Sequence, residues 1–376
     1  MSLITKICEL NEIQGNPYEY ARKYKEQCNK KVVGYLCSYT PEELIFAADA
    51  LPFRLFGTRE NINRADTYLQ TYCCSLVRGT LEEGLSGNLD FLDGAVFPHT
   101  CDSIQRLSDI WRLNVPLQFH IDAVLPLKLD TESSREYMVD VLRKFKTDLE
   151  KNLSIEISEE DLRYSIAIYN QIRESIKKIH AIRHENPAII KGSEFYTIMK
   201  TSMIIDRNML PRILGGIICE LEARKGNGAI KDHKRLVLTG GMCDHPDIYQ
   251  IIEDAGGVVV WDDFCTGSRY FEGLINQGGD PVVSIAERYL ERIVCPAKHN
   301  GLTSRAENII DIVKSKNVDG VVFLFLKFCD PHAFDYPYLK NHLDKAGIPN
   351  TIIEMEDQFS LGERLKTRFE AFIETL

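Results

Sequence analysis

Three cysteines stand just beyond apolar segments that suit buried strands. Cys101 follows DGAVFPH, Cys265 follows GVVVWDDF and Cys329 follows GVVFLFLKF. In open sheets of parallel strands, ligands bind beyond the carboxyl ends of the strands. Thiolates bind zinc and iron–sulfur clusters. The three positions therefore predict thiol groups that can converge at one functional edge of the fold.

Further cysteines lie where a metal group could reach them. Cys73 and Cys74, in TYCCSLVRGTLEEG, open a predicted helix, whose dipole favours a thiolate. Cys295, in RIVCPAKHNG, stands in a loop where Pro296 ends regular structure. Cysteine pairs two to four residues apart, which are typical of compact zinc sites, do not occur. Single ligands from distant loops favour a cluster held between lobes over a zinc knuckle.

Strand-end cysteines also have a structural interpretation, because free cysteine is among the most buried residue types. Cys243, in VLTGGMCDHP, also follows a predicted strand, so position alone does not decide between packing and ligation. We interpret four others as partly buried or surface thiols: Cys8, Cys28, Cys37 and Cys219.

Charged and ionisable residues lie close to these cysteines in the sequence. Three histidines could donate a proton or a hydrogen bond near the site: His99, His299 and His332. Three cations could offset the negative charge of thiolates: Arg269, Lys298 and Lys327. Each has an alternative interpretation as a solvent-facing loop residue.

The composition is that of an ordinary globular protein of two or three domains, with 376 residues and a formal net charge of -10. That charge argues against a nucleic-acid or anionic-membrane partner. The start, MSLITKICELNEIQ, shows no signal-peptide pattern, so we expect a cytoplasmic protein with reduced thiols. Neither G-x-x-x-x-G-K-[ST] nor G-x-S-x-G occurs, which argues against nucleotide hydrolysis by this chain and against a hydrolase of that class.

Apolar, β-branched segments alternate with segments of helical periodicity, the pattern of an α/β fold with parallel sheets. The predicted strands are 32–37, 52–57, 93–99, 117–124, 235–241, 257–264, 320–328 and 350–356. A strongly helical stretch without strands separates the first four from the last four. We therefore expect an N-terminal α/β lobe over 1–155, a helical connector over 156–230 and a C-terminal α/β lobe over 231–376.

Five segments resemble the 2-hydroxyacyl-CoA dehydratase and benzoyl-CoA reductase superfamily, and the resemblance covers nearly the whole chain. They are YTPEELIFAADALP, YCCSLVRG, HTCDSIQRL, DDFCTGSRYF, and KFCDPHAFDYPYLKNHL with the following GIPNTIIEMEDQ. The chain is most similar to the smaller subunits and to the related double-cubane cluster proteins. One departure is Asp49, where the family commonly has glycine.

The resemblance implies two flavodoxin-like α/β lobes with a low-potential iron–sulfur cluster in the cleft between them. In similar dehydratase subunits three cysteines hold one [4Fe–4S] cluster, and the matching positions are Cys74, Cys101 and Cys329. The double-cubane branch uses six cysteines for an [8Fe–9S] cluster. The sequence offers three more in the corresponding loops, Cys73, Cys265 and Cys295, so the six-ligand assignment is our first expectation.

The resemblance also implies a separate ATP-hydrolysing iron–sulfur activator that supplies single electrons. Our first expectation is a homodimeric reductase that acts on difficult substrates. The alternatives are the smaller subunit of a heterodimeric dehydratase or aryl-CoA reductase, which would act through a ketyl radical beside a larger homologous subunit, and an electron-storing protein without turnover. The acid–base residues and the substrate are not readable from the sequence.

Overall fold

The computed structural model describes residues 3–224, 233–241, 247–292, 295–301, 303–355 and 362–376. Within those ranges it contains two four-stranded parallel sheets and fifteen α-helices. The α/β class and the two Rossmann-like lobes predicted from the sequence are therefore confirmed. Cys243, Glu356 and the end of the predicted connector lie outside the described residues.

The first sheet has the strand order β2-β1-β3-β4, and all its pairings are parallel. Every residue of β1, β2 and β3 is buried, as expected for parallel strands covered by helices on both faces. The strands are β1 (Val32–Tyr35), β2 (Leu51–Arg54), β3 (Gly94–Phe97) and β4 (Phe119–Asp122).

The second sheet has the order β6-β5-β7-β8, which repeats the topology of the first. Its strands are β5 (Lys234–Gly240), β6 (Gly257–Asp263), β7 (Gly320–Leu326) and β8 (Asn350–Met355). In such sheets the ligand crevice lies at the switch point, beyond the carboxyl ends of the two central strands. The expected crevices are therefore at the ends of β1 and β3 and of β5 and β7.

The helices connect the strands within each sheet, and they also occupy the stretch of sequence between the two sheets. Those of the first half are α1 (Leu3–Gly15), α2 (Pro17–Cys28), α3 (Glu42–Ala47), α4 (Ser75–Leu85), α5 (Asp102–Asn114), α6 (Glu132–Leu153), α7 (Glu159–Glu185), α8 (Gly192–Ser202) and α9 (Leu210–Ala223). Those of the second half are α10 (Asp247–Asp254), α11 (Ser268–Phe271), α12 (Pro281–Glu291), α13 (Ser304–Ser315), α14 (Asp330–Lys345) and α15 (Gly362–Ile373). None of the described helices has the length and apolarity that crossing a membrane requires.

Four helices, α6 to α9, separate the two sheets, as the sequence predicted. The Ser158 side chain caps α7 and accepts from the Asp161 backbone N–H, while the Asp161 carboxylate accepts from the Ser158 backbone N–H. The N-terminal helix α1 packs against α8 and α9, and Lys6 donates to the Gly216 carbonyl over 2.8 Å. The exact residues at which the lobes and the connector begin stay a prediction.

Two glutamates at the start of α3 join the first lobe to other parts of the chain. Arg207 Nη2 lies 2.8 Å from Glu42 Oε2, and Arg173 of α7 pairs with Glu43. Tyr289 of α12 donates to Glu43 Oε2 over 3.1 Å. Both glutamates are buried in this ion-pair network. The network therefore fixes how α3 packs against α7 and α12.

Asp49, where the resembling family commonly has glycine, adopts a φ of 54°. Glycine enters this left-handed region without steric cost, and aspartate is among the few other residues that tolerate it. The Asp49 carboxylate also accepts a hydrogen bond from Lys30 over 2.5 Å. Asp49 is therefore compatible with the left-handed backbone of this turn.

Candidate functional site

Three of the predicted ligands occupy the same structural position, the N-cap of a helix. Cys74 precedes α4, Cys101 precedes α5 and Cys329 precedes α14. Backbone N–H groups at a helix N-terminus favour a thiolate. This position explains why Cys329 stands just beyond β7, since only Lys327 and Phe328 separate the strand from the capping residue.

Cysteines from both lobes line one small cavity of about 80 Å³. The first lobe and the second contribute three each: Cys37, Cys74 and Cys101, and Cys265, Cys295 and Cys329. Three of the loops that carry them follow β1, β3 and β7, which are central strands of the two sheets. The cavity therefore lies where the strand order of both lobes places a ligand site.

Cys74, Cys101 and Cys329 are electrostatic neighbours of one another. Burial raises the pKa of Cys74 to about 11. The pKa of Cys101 is raised to about 12, mainly by burial and in part by the Cys74 thiol. Burial also raises the pKa of Cys329, and Cys74 and Cys101 add to the rise. The helix N-termini lower these pKa values, but burial outweighs them. These three cysteines therefore need a positively charged partner to be stable together as thiolates.

The other three cysteines form a second group around Cys295. Burial raises the pKa of Cys295 to about 11, Arg269 opposes the rise, and Cys265 and Cys37 add to it. Cys295 follows α12 in a loop, as the sequence predicted, and its side chain is buried. The cavity is thus lined by two triplets of cysteines. The triplets are also neighbours of each other, since Cys37 and Cys295 raise the pKa of Cys101 and Cys265 raises that of Cys329.

The structure reverses the roles that the sequence favours for Cys37 and Cys73, because Cys37 lines the cavity and Cys73 does not. The sequence favours Cys37 as a packed thiol, yet it lines the cavity. Cys73 is a predicted ligand; it is buried beside Ser103 and is not among the residues that line the cavity. A signal for Cys37 exists, because it ends the predicted strand VVGYLC much as Cys101 follows its own strand. Cys8, Cys28 and Cys219 are exposed, as expected.

Arg269 is fully buried at the wall of the cavity. Its Nε and Nη2 donate to the Asp263 carboxylate over 2.8 and 2.9 Å, and its Nη1 lies 3.9 Å from Cys265 Sγ. Arg269 is therefore not a solvent-facing loop residue, and its role in offsetting thiolate charge stays a prediction. Gly267 completes the turn, because a Cβ at this residue would lie 1.7 Å from Asp262 Oδ1.

The three histidines near the cysteines occupy different environments. His332 lines the cavity, packs on Phe325, and burial holds its pKa well below the ordinary value, so its ring is neutral. His99 hydrogen-bonds Asp122 over 2.8 Å instead of facing the cavity. The contact described for His299 is made by its backbone, which forms an isolated parallel bridge with Lys128.

A larger open cleft of about 840 Å³ adjoins the cysteine cavity. Cys101, Pro296, Ala297 and Pro331 line both spaces. The outer walls come from the first lobe at 127–130 and from the second lobe at 296–301 and 330–338. A small molecule in this cleft would therefore lie directly against whatever the cysteines hold.

The residues that line the cavity indicate whether it suits water or a metal group. A space of about 80 Å³ has room for several water molecules, each of which needs polar partners. Thiols and hydrocarbon groups dominate the lining instead. In the part of the chain that the structure describes, no group of three or more His, Cys, Asp or Glu side chains could hold a metal ion. Six thiols around one space suit a larger thiophilic group with several points of attachment.

Known proteins similar to this chain cover nearly its full length. The beta subunit of (R)-phenyllactyl-CoA dehydratase from Clostridium sporogenes is 29% identical over 368 residues, which are 98% of each chain. The beta subunit of (R)-2-hydroxyglutaryl-CoA dehydratase from Acidaminococcus fermentans is 26% identical and covers 100% of both chains. A benzoyl-CoA reductase subunit from Thauera aromatica is 27% identical over 88% of this chain and 86% of its own.

The family model described as 2-hydroxyglutaryl-CoA dehydratase, D-component, matches residues 37–376. Those residues include most of the first sheet, all of the second and all six cysteines of the cavity. The relatives are subunits of dehydratases and reductases, which agrees with the superfamily that the sequence motifs indicated. The chain belongs to the 2-hydroxyglutaryl-CoA dehydratase D-component family.

Proposed function

We propose that this chain is an iron–sulfur reductase or dehydratase component that holds a low-potential cluster between its two lobes. The observation that carries the proposal is the convergence of six cysteines, three from each lobe, on one cavity. A donor set of this size favours the double-cubane [8Fe–9S] cluster over a single cubane. The proposed ligands are Cys37, Cys74, Cys101, Cys265, Cys295 and Cys329.

This ligand set differs from the one expected from the sequence by one residue. Cys37 takes the place of Cys73, because Cys37 lines the cavity and is an electrostatic neighbour of Cys101 and Cys295. Cys73 stands one residue before the helix cap and borders Ser103. We infer that Cys73 supports the loop of Cys74 and does not bind the metal group.

When bound, such a cluster supplies single electrons at a very low potential, since added charge is poorly solvated in a dry cavity. An ATP-hydrolysing activator would provide the electrons. The chain's own residues place the open cleft against Cys101. Because the relatives act on 2-hydroxyacyl-CoA and benzoyl-CoA substrates by their names, we propose that this cleft receives a substrate that resists ordinary reductants.

A second function is favoured by the triplet of cysteines at helix caps. Cys74, Cys101 and Cys329 all cap helices and are mutual neighbours, so they could hold one [4Fe–4S] cluster by themselves. The relatives named above are subunits of larger enzymes. In this alternative the chain pairs with a larger homologous subunit, whereas the double-cubane proposal predicts a homodimer.

Iron and acid-labile sulfide per chain distinguish the two proposals. We expect about eight iron atoms per chain after anaerobic purification, with a mass in solution that corresponds to a dimer. About four iron atoms would support the single-cubane alternative, and co-expression with a larger homologous chain would then be the next measurement. A folded, anaerobically handled protein without iron would overturn both.

A further inference from the structure

Arg292, the residue at the C-terminal cap of α12, is buried, and its side chain joins the two lobes. Its Nη1 donates to the Ser38 carbonyl oxygen over 2.7 Å, and its Nη2 lies 3.2 Å from the Ser38 hydroxyl oxygen, to which it donates. The same Nη2 donates to the Arg269 carbonyl oxygen over 2.6 Å. The guanidinium therefore connects a loop of the first lobe, 254 positions away in the sequence, to a separate loop of the second lobe.

The contacts of this guanidinium lie beside every cysteine of the second triplet. Ser38 directly follows Cys37 in the sequence. Arg269 places its own Nη1 3.9 Å from Cys265 Sγ. Cys295 stands three positions after the arginine itself. Three ligand loops that are distant from one another in the sequence therefore meet at one side chain.

The backbone at Cys37 requires support from its surroundings, because its φ is 62°. This left-handed region is unfavourable for residues with a side chain such as cysteine, and strain of this kind persists only where the surrounding structure fixes it. Two contacts from the second lobe hold the residues that follow. Arg292 binds Ser38, and the Tyr289 hydroxyl donates to the Thr40 carbonyl oxygen over 2.9 Å. The second lobe therefore helps to fix the turn that presents Cys37.

Aromatic neighbours hold the guanidinium in one orientation. Its Cζ lies 4.8 Å from the ring centroid of Tyr39 and 5.6 Å from that of Tyr289, within the range of a cation–π contact. The Tyr39 hydroxyl also donates to the Arg292 carbonyl oxygen over 3.2 Å. Arginine presents its donors in a rigid planar fork, whereas lysine carries a compact charge on a flexible stem. The contacts of Arg292 therefore depend on the shape of its side chain as well as on its charge.

We propose that Arg292 is the positioning residue of the second cysteine triplet and that the half of the metal group bound by this triplet is held only when the guanidinium keeps its loops together. The inference rests on the proposed function above. Ligands are oriented by the groups that surround them, and a site on loops is precise only where such groups lock it. The cysteines of the first triplet are positioned differently, at the N-caps of α4, α5 and α14. Loss of the Arg292 contacts should therefore affect the second triplet alone.

The test is the iron and acid-labile sulfide content of R292K, which retains the charge and loses the planar fork. After anaerobic purification we expect about four iron atoms per chain instead of about eight, because the first triplet still holds its cubane. Electron paramagnetic resonance of the reduced variant should show the remaining [4Fe–4S] cluster.

R288K is the matched control, since Arg288 is a similarly buried arginine of the same helix. It also donates to backbone carbonyl oxygens, which do not line the cysteine cavity and belong to Tyr270, Glu272 and Gly273. R288K should retain about eight iron atoms per chain.

Alkylation of the iron-free protein provides a readout that does not depend on the metal group. In R292K, iodoacetamide should modify Cys37 and Cys295 roughly tenfold faster than in the wild type, because a loop that loses a charge-assisted hydrogen bond opens more often. Cys74 and Cys101 should react at unchanged rates. Mass spectrometry of the labelled peptides measures each rate, and general destabilisation of the fold would raise all four.

About eight iron atoms in R292K, with unchanged alkylation of Cys37 and Cys295, would overturn this inference and leave the cluster in place. An equal loss of iron in R288K would have the same meaning, as would loss of all iron from R292K with faster alkylation at every cysteine. A wild-type protein with about four iron atoms or none would instead overturn the double-cubane proposal. The alkylation pattern would then still decide whether Arg292 positions the second triplet.

Discussion

Replacing Cys37 by alanine is expected to lower the iron content from about eight atoms per chain to about four or fewer. Cys37 lines the cavity and neighbours Cys295, so its loss would leave the second triplet incomplete. The paired substitution Cys73→Ala should leave the iron content unchanged, since Cys73 does not line the cavity. Iron and sulfide analysis of the two anaerobically purified variants measures the difference.

Cys219→Ala is the control for loss of an exposed thiol. Circular dichroism of the iron-free variants verifies that each one folds. The opposite result, in which the Cys73 variant loses iron and the Cys37 variant keeps it, would return the sixth ligand to the residue expected from the sequence. Full iron in both variants would show that neither cysteine is required to hold the cluster.

The substitution Glu43→Gln is expected to cause a large loss in the free energy of unfolding. Glu43 is fully buried, pairs with Arg173 and lies 3.9 Å from Arg288, so the amide would leave two buried guanidinium groups without their anion. Breaking a buried ion pair in this way costs about 3–5 kcal/mol. Urea denaturation of the iron-free protein, followed by circular dichroism, measures the loss in free energy of unfolding.

The effect of Glu43→Gln should depend on pH in a defined direction. Burial opposes ionisation of Glu43, but Arg173 and Arg288 outweigh it and lower its pKa from the ordinary value of 4.5. A lowered pKa in the folded state means that the carboxylate contributes its full stability above that ordinary value. The contribution is lost as the pH falls through the lowered pKa. The difference between wild type and variant should therefore be constant near neutral pH and shrink in acid.

Lys178→Met supplies the control for this experiment. Lys178 and Glu222 lie 2.8 Å apart, but both side chains are about half exposed. Exposed ion pairs contribute about 0–1 kcal/mol. A loss of stability in Glu43→Gln no greater than that of the control would contradict a structural role for the buried network.

The repeated strand order gives the two lobes matching roles in the site. Cys37 and Cys101 follow the two central strands of the first sheet, and Cys329 follows a central strand of the second. Cys265 follows β6, next to that centre. Each lobe thus brings loops from the same edge of its sheet to the cavity. A site shared equally by two similar lobes can hold a group that neither lobe could enclose alone.

Much of the fold was predictable because its signals are local. All eight strands appear where apolar, β-branched segments predicted them, although several end two or three residues earlier in the structure. The start of α7 was predictable from Ser158, whose capping contacts lie within one helical turn. The burial of Glu42 and Glu43 was not predictable, because their partners Arg207 and Arg173 lie far away in the sequence.

By itself, the sequence determined the α/β class, the family and five of the six cysteines that line the cavity, since strand periodicity and local motifs carry that information. The tertiary structure decided the sixth. Cys37 and Cys73 have equally suitable local sequences, and only the strand order, which places β1 at the centre of its sheet beside β3, brings Cys37 to the cavity. The tertiary structure also decided that Lys298 is buried against the carbonyls of Leu125 and Pro126. These two residues precede Lys298 by 173 and 172 positions in the sequence, so no local pattern reveals the contact.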